Sequence, residues 1–417
     1  MESSCGATES KVFSIYHKLF RYYLANWGWF VVRRASPLSF VAYFRLCRYI
    51  CIFAVIIIYR VLVCDRQMAT VIRQPGTFCF SSDISDIVFG TNDESAELVL
   101  TLKCGSARIE LLSETVYSDL SHQVSVVDIS SMVEVFARQH QKVVLECSLT
   151  DSQGKCSISA VTVLFAMVDV GQSAQSFVDS HFLTILDGEK ITAMGRDERL
   201  YGYGVSSLNV ICDVMSGTGR IESKTCTLRS SSSSGGVSQF DVSPSRVASV
   251  LGISGGLIGY RCEAGARVQK FMVVVDDHMP APSLVFTNSF GCQEFLHCVG
   301  THTKTSDYTR STARIRGRVR NIRIEENRQF KANTGWLNRA MADWADDLFR
   351  SQEVYLWVDG STGREVIITD SKSDISNDDN DMPAFEFTYS YVQRIHNVMQ
   401  PKHAGRVFDN TFDSSFQ

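Results

Sequence analysis

Between residues 77 and 169 the chain divides into seven short runs dominated by Val, Ile, Leu and Thr, each closed by polar or turn-forming residues. They cover residues 77–80, 84–89, 97–103, 108–117, 123–127, 142–149 and 157–168. Seven short strands in about 90 residues is the density of a β-sandwich of immunoglobulin-like size. Asp151-Ser152-Gln153-Gly154 carries turn chemistry, so the last two runs should form a hairpin. A short helix is predicted at 130–139.

The pattern continues without repeating the sequence. Runs at 208–215 and 221–229 flank Ser216-Gly217-Thr218-Gly219, a second hairpin signal. The serine-then-glycine run at 230–236 reads as an exposed flexible loop. A helix is expected from Pro244 to Leu251 and a buried strand at 268–275. Asp276-Asp277-His278-Met279-Pro280 then marks a boundary.

Residues 284–358 hold the clearest architectural signals. Leu284-Val285-Phe286, the turn Asn288-Ser289-Phe290-Gly291 and the run 294–299 read as a hairpin. A helix follows at about 335–350, with Thr334 as the candidate N-cap. Leu337, Met341, Trp344 and Leu348 recur at helical spacing and form its apolar face, flanked by Trp336 and Ala340. Arg339, Asp343, Asp346 and Asp347 are expected to face water. Such a helix covers a sheet, and its stripe is read as core. Further strands are expected at 354–358, 365–369 and 385–393, the last two around an acidic loop at 374–381.

These readings give a mainly β chain of tandem β-sandwich-like modules. Its C-terminal module is β+α and carries one amphipathic helix. The expected divisions are 1–67, a basic apolar segment; 68–170 and 171–280, two β modules; and 281–417, the β+α module, with a loosely held tail from Pro401.

Composition limits the functional classes. Of 417 residues, 45% are hydrophobic and 21% charged, as in ordinary globular proteins. Residues 1–67 carry +6 and residues 68–417 carry −10, so the body is not a general nucleic-acid binder. The 13 cysteines are scattered singly, without C-x-x-C, and strand positions such as Cys104, Cys147 and Cys212 read as small buried hydrophobes in a reducing compartment. The longest uncharged apolar run of the first segment, 49–59, is about half of the roughly 20 residues a spanning helix needs. Three readings of residues 1–67 follow: a misassigned start ahead of Met68, a membrane-associated segment, or a packed helix. Membrane contact is expected only if that segment is expressed.

Four constellations could carry chemistry. Gly252-Ile253-Ser254-Gly255-Gly256 matches G-x-S-x-G, but a nucleophile elbow needs a strand before and a helix after, the reverse of the order here. The glycines are better read as a left-handed helix cap. Cys292, His297, Cys298 and His302 fall within eleven residues, yet His297 and Cys298 should point to opposite faces of a strand, against joint metal ligation. Asp374, Ser376, Asp378 and Asp381 lack the central Gly and bidentate Glu of a calcium loop. No catalytic residue, metal or cofactor is therefore assigned. Finally, Arg314, Arg316, Arg318 and Arg320 alternate with Ile315, Gly317 and Val319, which on one strand makes a fully basic face. That face is either solvated edge protection or a docking surface for acidic partner groups, such as the acidic loops of a neighbouring copy.

From Met68 onward the chain resembles uncharacterised virion structural proteins of phages and prophages, of the tail-tip or baseplate type. The resemblance lies in Pro75-Gly76-Thr77-Phe78-Cys79-Phe80 with Asp86-Ile87-Val88-Phe89. It continues in Phe286-Thr287-Asn288-Ser289-Phe290-Gly291, Lys331-Ala332-Asn333-Thr334-Gly335-Trp336 and Trp344-Ala345-Asp346-Asp347-Leu348. It implies a non-enzymatic, multi-domain β protein that assembles with other virion proteins or copies of itself, in the virion or in the bacterial cytoplasm during assembly. No nucleic-acid partner is expected. The alternative is a membrane-tethered β-domain surface protein that binds carbohydrate or protein.

Overall fold

The structure is a computed structural model that describes residues 68–253, 256–275, 281–375 and 382–392. Readings that fall on residues 1–67, on Ser254, on 276–280, on 376–381 and on the tail from Pro401 lie outside the described residues. Contacts divide the chain into Met1–Met68 and Ala69–Gln417, and every strand and helix described belongs to the second unit.

The first strands are β1 (Thr70–Arg73), β2 (Phe78–Phe80), β3 (Ile87–Gly90), β4 (Ser95–Cys104), β5 (Ala107–Tyr117) and β6 (Gln123–Val126). Helix α1 (Ile129–His140) and the strands β7 (Lys142–Asp151), β8 (Gly154–Ser157) and β9 (Val161–Leu164) follow. They build two sheets, ordered β1-β3-β6 and β2-β9-β7-β4-β5, with β8 hairpinned on β7 through the predicted turn. Strand periodicity sorts the side chains: Ala96, Leu98, Leu100, Leu102 and Cys104 of β4 are buried, while Glu97 and Lys103 are exposed. Ile87 and Phe89 of the smaller sheet join them in one core, which Val133 and Ala137 of α1 complete.

The next range contains helix α2 (Ala174–Ser180) and the strands β10 (Glu189–Ala193), β11 (Arg199–Tyr203), β12 (Ser207–Met215) and β13 (Ile221–Arg229). After them come β14 (Ser232–Ser234), β15 (Val237–Asp241), helix α3 (Pro244–Leu251), β16 (Leu257–Ala264) and β17 (Arg267–Val274). The sheets are β10-β17-β16-β12-β13 and β11-β15-β14, around a core of Leu208, Val210, Cys212, Phe240 and Phe271. Two sequence readings are corrected here. The serine run is a strand as well as a loop: Ser232–Ser234 pairs with β15 across Gly235-Gly236, both at positive φ, the two-residue turn that a tight hairpin requires. Serines give no hydrophobic alternation, so the strand leaves no sequence signal. The strand at 268–275 is buried on one face only, since Gln269 and Phe271 point inward while Val268, Met272 and Val274 are exposed. Helix α3 ends on Gly252 in a left-handed cap, as its sequence suggests.

The last range forms one antiparallel sheet of seven strands. They are β18 (Ser283–Thr287), β19 (Gln293–His297), β20 (His302–Ile315), β21 (Arg318–Asn333), β22 (Val354–Val358), β23 (Ser361–Lys372) and β24 (Glu386–Tyr391), in the order β19-β18-β22-β23-β24-β21-β20. Helix α4 (Arg339–Arg350) packs on this sheet, with Leu337, Met341, Trp344 and Leu348 all buried in one cluster with Leu284, Phe286, Leu356 and Phe387. The cap differs from the predicted one. Asn338 accepts from the Met341 amide at 2.8 Å, whereas the Thr334 hydroxyl donates to the Gly335 carbonyl and accepts from the Phe385 amide. The helix starts later because Gly335 is left-handed, and Trp336 is left exposed. Asp347 is also corrected. It is buried, and it accepts from the amide (3.0 Å) and hydroxyl of Ser289 in the β18–β19 turn. Asn338→Ala should cost about 1 kcal/mol, measured by denaturant unfolding, while Thr334→Ala should leave the start of the helix unchanged in amide exchange.

Each sheet draws its strands from one of the ranges 68–170, 171–280 and 281–417. Side chains join the ranges: Phe80, Phe177 and Phe290, one from each, meet at ring-centroid separations of 5.2–5.8 Å. The chain is thus mainly β, with sandwich-like modules and a C-terminal β+α module carrying the amphipathic helix. No helix among the described residues is long and apolar enough to cross a membrane.

Candidate assembly arm

Strands β20 and β21 are longer than the sheet that holds them. Strand β24 pairs with β21 only from Phe330 to Asn333, and the partner of Phe330 on β20 is Lys304. Beyond that point the two strands run on to the turn without pairing to any other strand among the described residues. The eleven residues from Thr305 to Ile315 correspond to a ribbon of roughly 35 Å at about 3.3 Å per residue. No residue from 303 to 329 is buried.

The local sequence explains the hairpin. Ile315 pairs with Arg318, leaving a two-residue turn, Arg316-Gly317, with φ of 51° and 79°. Both residues are left-handed, as a type I′ turn demands, and Gly317 meets that demand without steric cost. Alternation of Arg with Ile, Val and Thr supplies the strand character on either side.

The turn overturns the expected single basic strand face. Arg314 lies on β20 opposite Val319, Arg316 lies in the turn, and Arg318 and Arg320 share one face of β21 with Ile315 and Ala313 opposite them. Directly opposed residues share a face, so Arg314 projects from the other side of the ribbon. Guanidinium groups therefore decorate both faces of the tip, which relieves the repulsion expected of four stacked like charges. Between Tyr308 and Ile324 there are six arginines and no carboxylate. Arg323 pairs with Glu325 just outside this stretch, and Arg310 sits 5.4 Å from the Tyr308 ring. Tyr308, Ile315, Val319, Ile322 and Ile324 are exposed among them.

The cysteines and histidines of residues 292–302 pack and hydrogen-bond within the body. Cys292 and Cys298 are buried, the His297 ring bonds the Ser283 hydroxyl (2.8 Å) and the Asp197 carbonyl (3.1 Å), and His302 reaches the Tyr389 hydroxyl at 3.0 Å. Among the described residues no group of three or more His, Cys, Asp or Glu is arranged to hold a metal ion. The nine described cysteines are free, and burial pushes the Cys147 and Cys212 thiols up to about 12. An open cleft of about 490 Å3 is lined by Asp93, Glu94, Glu97 and Asp151. Asp151 is committed to the turn there, accepting from the amides of Gln153 (2.8 Å) and Gly154 (3.0 Å) with one oxygen and from Ala69 and Thr91 with the other.

Sequence reasoning missed one constellation. Lys190 of β10 donates to Glu198 at 2.7 Å and to the Phe295 carbonyl at 2.9 Å, and stands 4.4 Å from the Trp344 ring centre. The Trp344 indole donates to Glu294. Burial raises the carboxyls of Glu198 and Glu294 above their usual range, against the pull of Lys190. The group joins 190–198 to 294 and 344, separations that no sequence window brings together. Its closed surroundings make it a seam between two ranges of the chain.

No family model matches the chain, and no curated protein matches it. Among solved structures it is similar to tandem Ig repeats of Dlar, with 13% identity over 50% of this chain and 98% of that one, at a TM-score of 0.15. It is also similar to the Group B Streptococcus pullulanase SAP (13%, 53% of this chain and 24% of that one, TM-score 0.19). A third is the plexin A4 extracellular region (8%, 78% and 36%, TM-score 0.16). The chain thus spans about a quarter of the pullulanase structure and about a third of the plexin structure. At these scores the likenesses carry no argument about function.

Proposed function

We propose that this protein is a non-enzymatic structural subunit that assembles through protein–protein contacts, as a tail or baseplate component of a phage or prophage particle. The single observation that carries the assembly role is the β20–β21 arm. A two-stranded ribbon is at best marginally stable alone in water, and long free edges with exposed apolar side chains invite pairing with another chain. The particle assignment is supported by the resemblance in residues 75–89 and 286–348. Arginines suit planar carboxylate recognition, and the rest of the body supplies the acid: residues 68–417 carry −10 and residues 302–333 carry +6, leaving −16 elsewhere.

Salt should weaken such contacts, because exposed charges are screened over about 8–10 Å at moderate ionic strength. Self-association of the full chain, followed by sedimentation, should fall between low and high salt. Arg318→Glu with Arg320→Glu should reduce it without changing the melting temperature. A chain that stays monomeric at low salt and high concentration, or oligomers indifferent to this double change, would remove the assembly role.

A further inference from the structure

We infer that the arm of one copy docks along the edge of β5 in a second copy. The inference rests on the assembly reading above and names the surface that receives the arm.

Among the described residues strand β5 ends its sheet: it pairs with β4 and with no described strand on its other side, over eleven residues from Ala107 to Tyr117. None of those residues is buried, and among the described residues the edge offers a row of backbone donors and acceptors that pairs with no other strand. Its charge suits the arm. Glu110 and Glu114 lie on it, Arg108 of the same strand is compensated by Glu146 at 3.2 Å, Glu97 stands beside Thr115 on the neighbouring strand, and Glu94 lies in the adjoining cleft. Strand β13, another long sheet edge among the described residues, carries Lys224 and Arg229 against one Glu222, and would repel an arginine-rich ribbon.

The faces also correspond. Glu114 is opposite Leu98, on the core side of the sheet, while Glu97 and Thr101, the latter opposite Glu110, belong to the outer side. A strand added at this edge meets carboxylates above and below the sheet. The arm presents Arg318 and Arg320 on one face and Arg314 on the other. Main-chain pairing would supply affinity, and the alternating side chains would set register. Exposed Tyr117 and half-buried Leu111 and Leu112 offer apolar neighbours for Ile315 and Val319. A polyanion such as DNA would match the arginines but not these apolar groups, and the −16 of the remaining body opposes it.

Because arm and edge are different surfaces, the contact can run head to tail into a ring or an open filament, or close reciprocally when two copies exchange arms. Charge exchange tests this on the full chain at low salt. Glu110→Lys with Glu114→Lys should weaken self-association at least tenfold, as should Arg318→Glu with Arg320→Glu. All four changes in one chain should restore it. An equimolar mixture of the two double variants should restore it as well, since the native arm of one meets the native edge of the other and their two changed surfaces are again of opposite charge. Amide exchange of residues 107–117 should slow on assembly. The exposed positions should tolerate these changes; Glu110→Gln with Glu114→Gln serves as a milder check, and melting temperatures confirm folding.

An arm variant that weakens association while the edge variant does not would overturn the β5 docking and leave the assembly role standing. Indifference to both would overturn both. Binding of a DNA duplex that is lost in the arm variant, without self-association, would show that the arm serves a polyanion and would also overturn the inference.

Discussion

Replacing Lys190 by methionine is expected to cost about 3–5 kcal/mol at neutral pH, because removing one partner of a buried pair leaves an uncompensated charge. The ammonium group is enclosed by Glu198, the Phe295 carbonyl and the Trp344 ring, and all these side chains are buried. The loss should depend on pH in a definite direction. Burial already raises the Glu198 carboxyl, and without Lys190 it rises further. A carboxyl whose folded value lies above its unfolded value takes up a proton on folding, so its contribution to stability falls as pH increases through that interval. The cost of Lys190→Met should therefore be largest at neutral pH and shrink on acidification toward the unfolded carboxylate value. Denaturant unfolding of both proteins across that range measures it. A cost that grows as pH falls would show that Glu198 is not the group left uncompensated.

Trp344→Ala is expected to cost about 3–5 kcal/mol as a large-to-small change in a packed core. The indole is fully buried, tilts against Phe286 at 5.6 Å between ring centres, and donates to Glu294. Its loss therefore opens a cavity and also strips a buried carboxylate of a donor. Asp343→Ala, one residue earlier on the exposed side of the same helix, should stay within about 0.5 kcal/mol. Asp347→Ala should fall between them, at about 1–3 kcal/mol, because it leaves the Ser289 amide without its acceptor. Chemical denaturation of the three variants orders them. Equal losses at 343 and 347 would contradict the burial that separates these two aspartates.

Those two aspartates show where sequence reading stops. Helical spacing places Leu337, Met341, Trp344 and Leu348 on one face, because a 3.6-residue period is a local property of the backbone. The same spacing puts Asp347 beside that face, and whether it meets water depends on how closely the β18–β19 turn approaches. The N-cap depends likewise on neighbours. Thr334 and Asn338 are both chemically suitable, and only the left-handed Gly335 and the position of residue 385 decide between them.

The arm divides in the same way. Alternating arginines announce a strand, but a period of two is equally well met by one long strand or by a tight hairpin whose turn holds Arg316-Gly317. The difference sends Arg314 to the opposite face and converts a presumed basic stripe into a two-sided ribbon. That the ribbon outruns its sheet follows from β24 being only six residues long, and that β5 stands at an edge follows from strand order.

By itself, then, the sequence determined what is written in local periods and turn chemistry: the mainly β class, the hairpins at Asp151–Gly154 and 216–219, and the helix with its buried stripe. Tertiary structure alone decided which edges stay unpaired, which aspartate is enclosed, and that Lys190 meets Glu198 and Trp344. Backbone preferences act over a few residues, whereas burial, edge pairing and charge compensation are set by residues a hundred or more positions away.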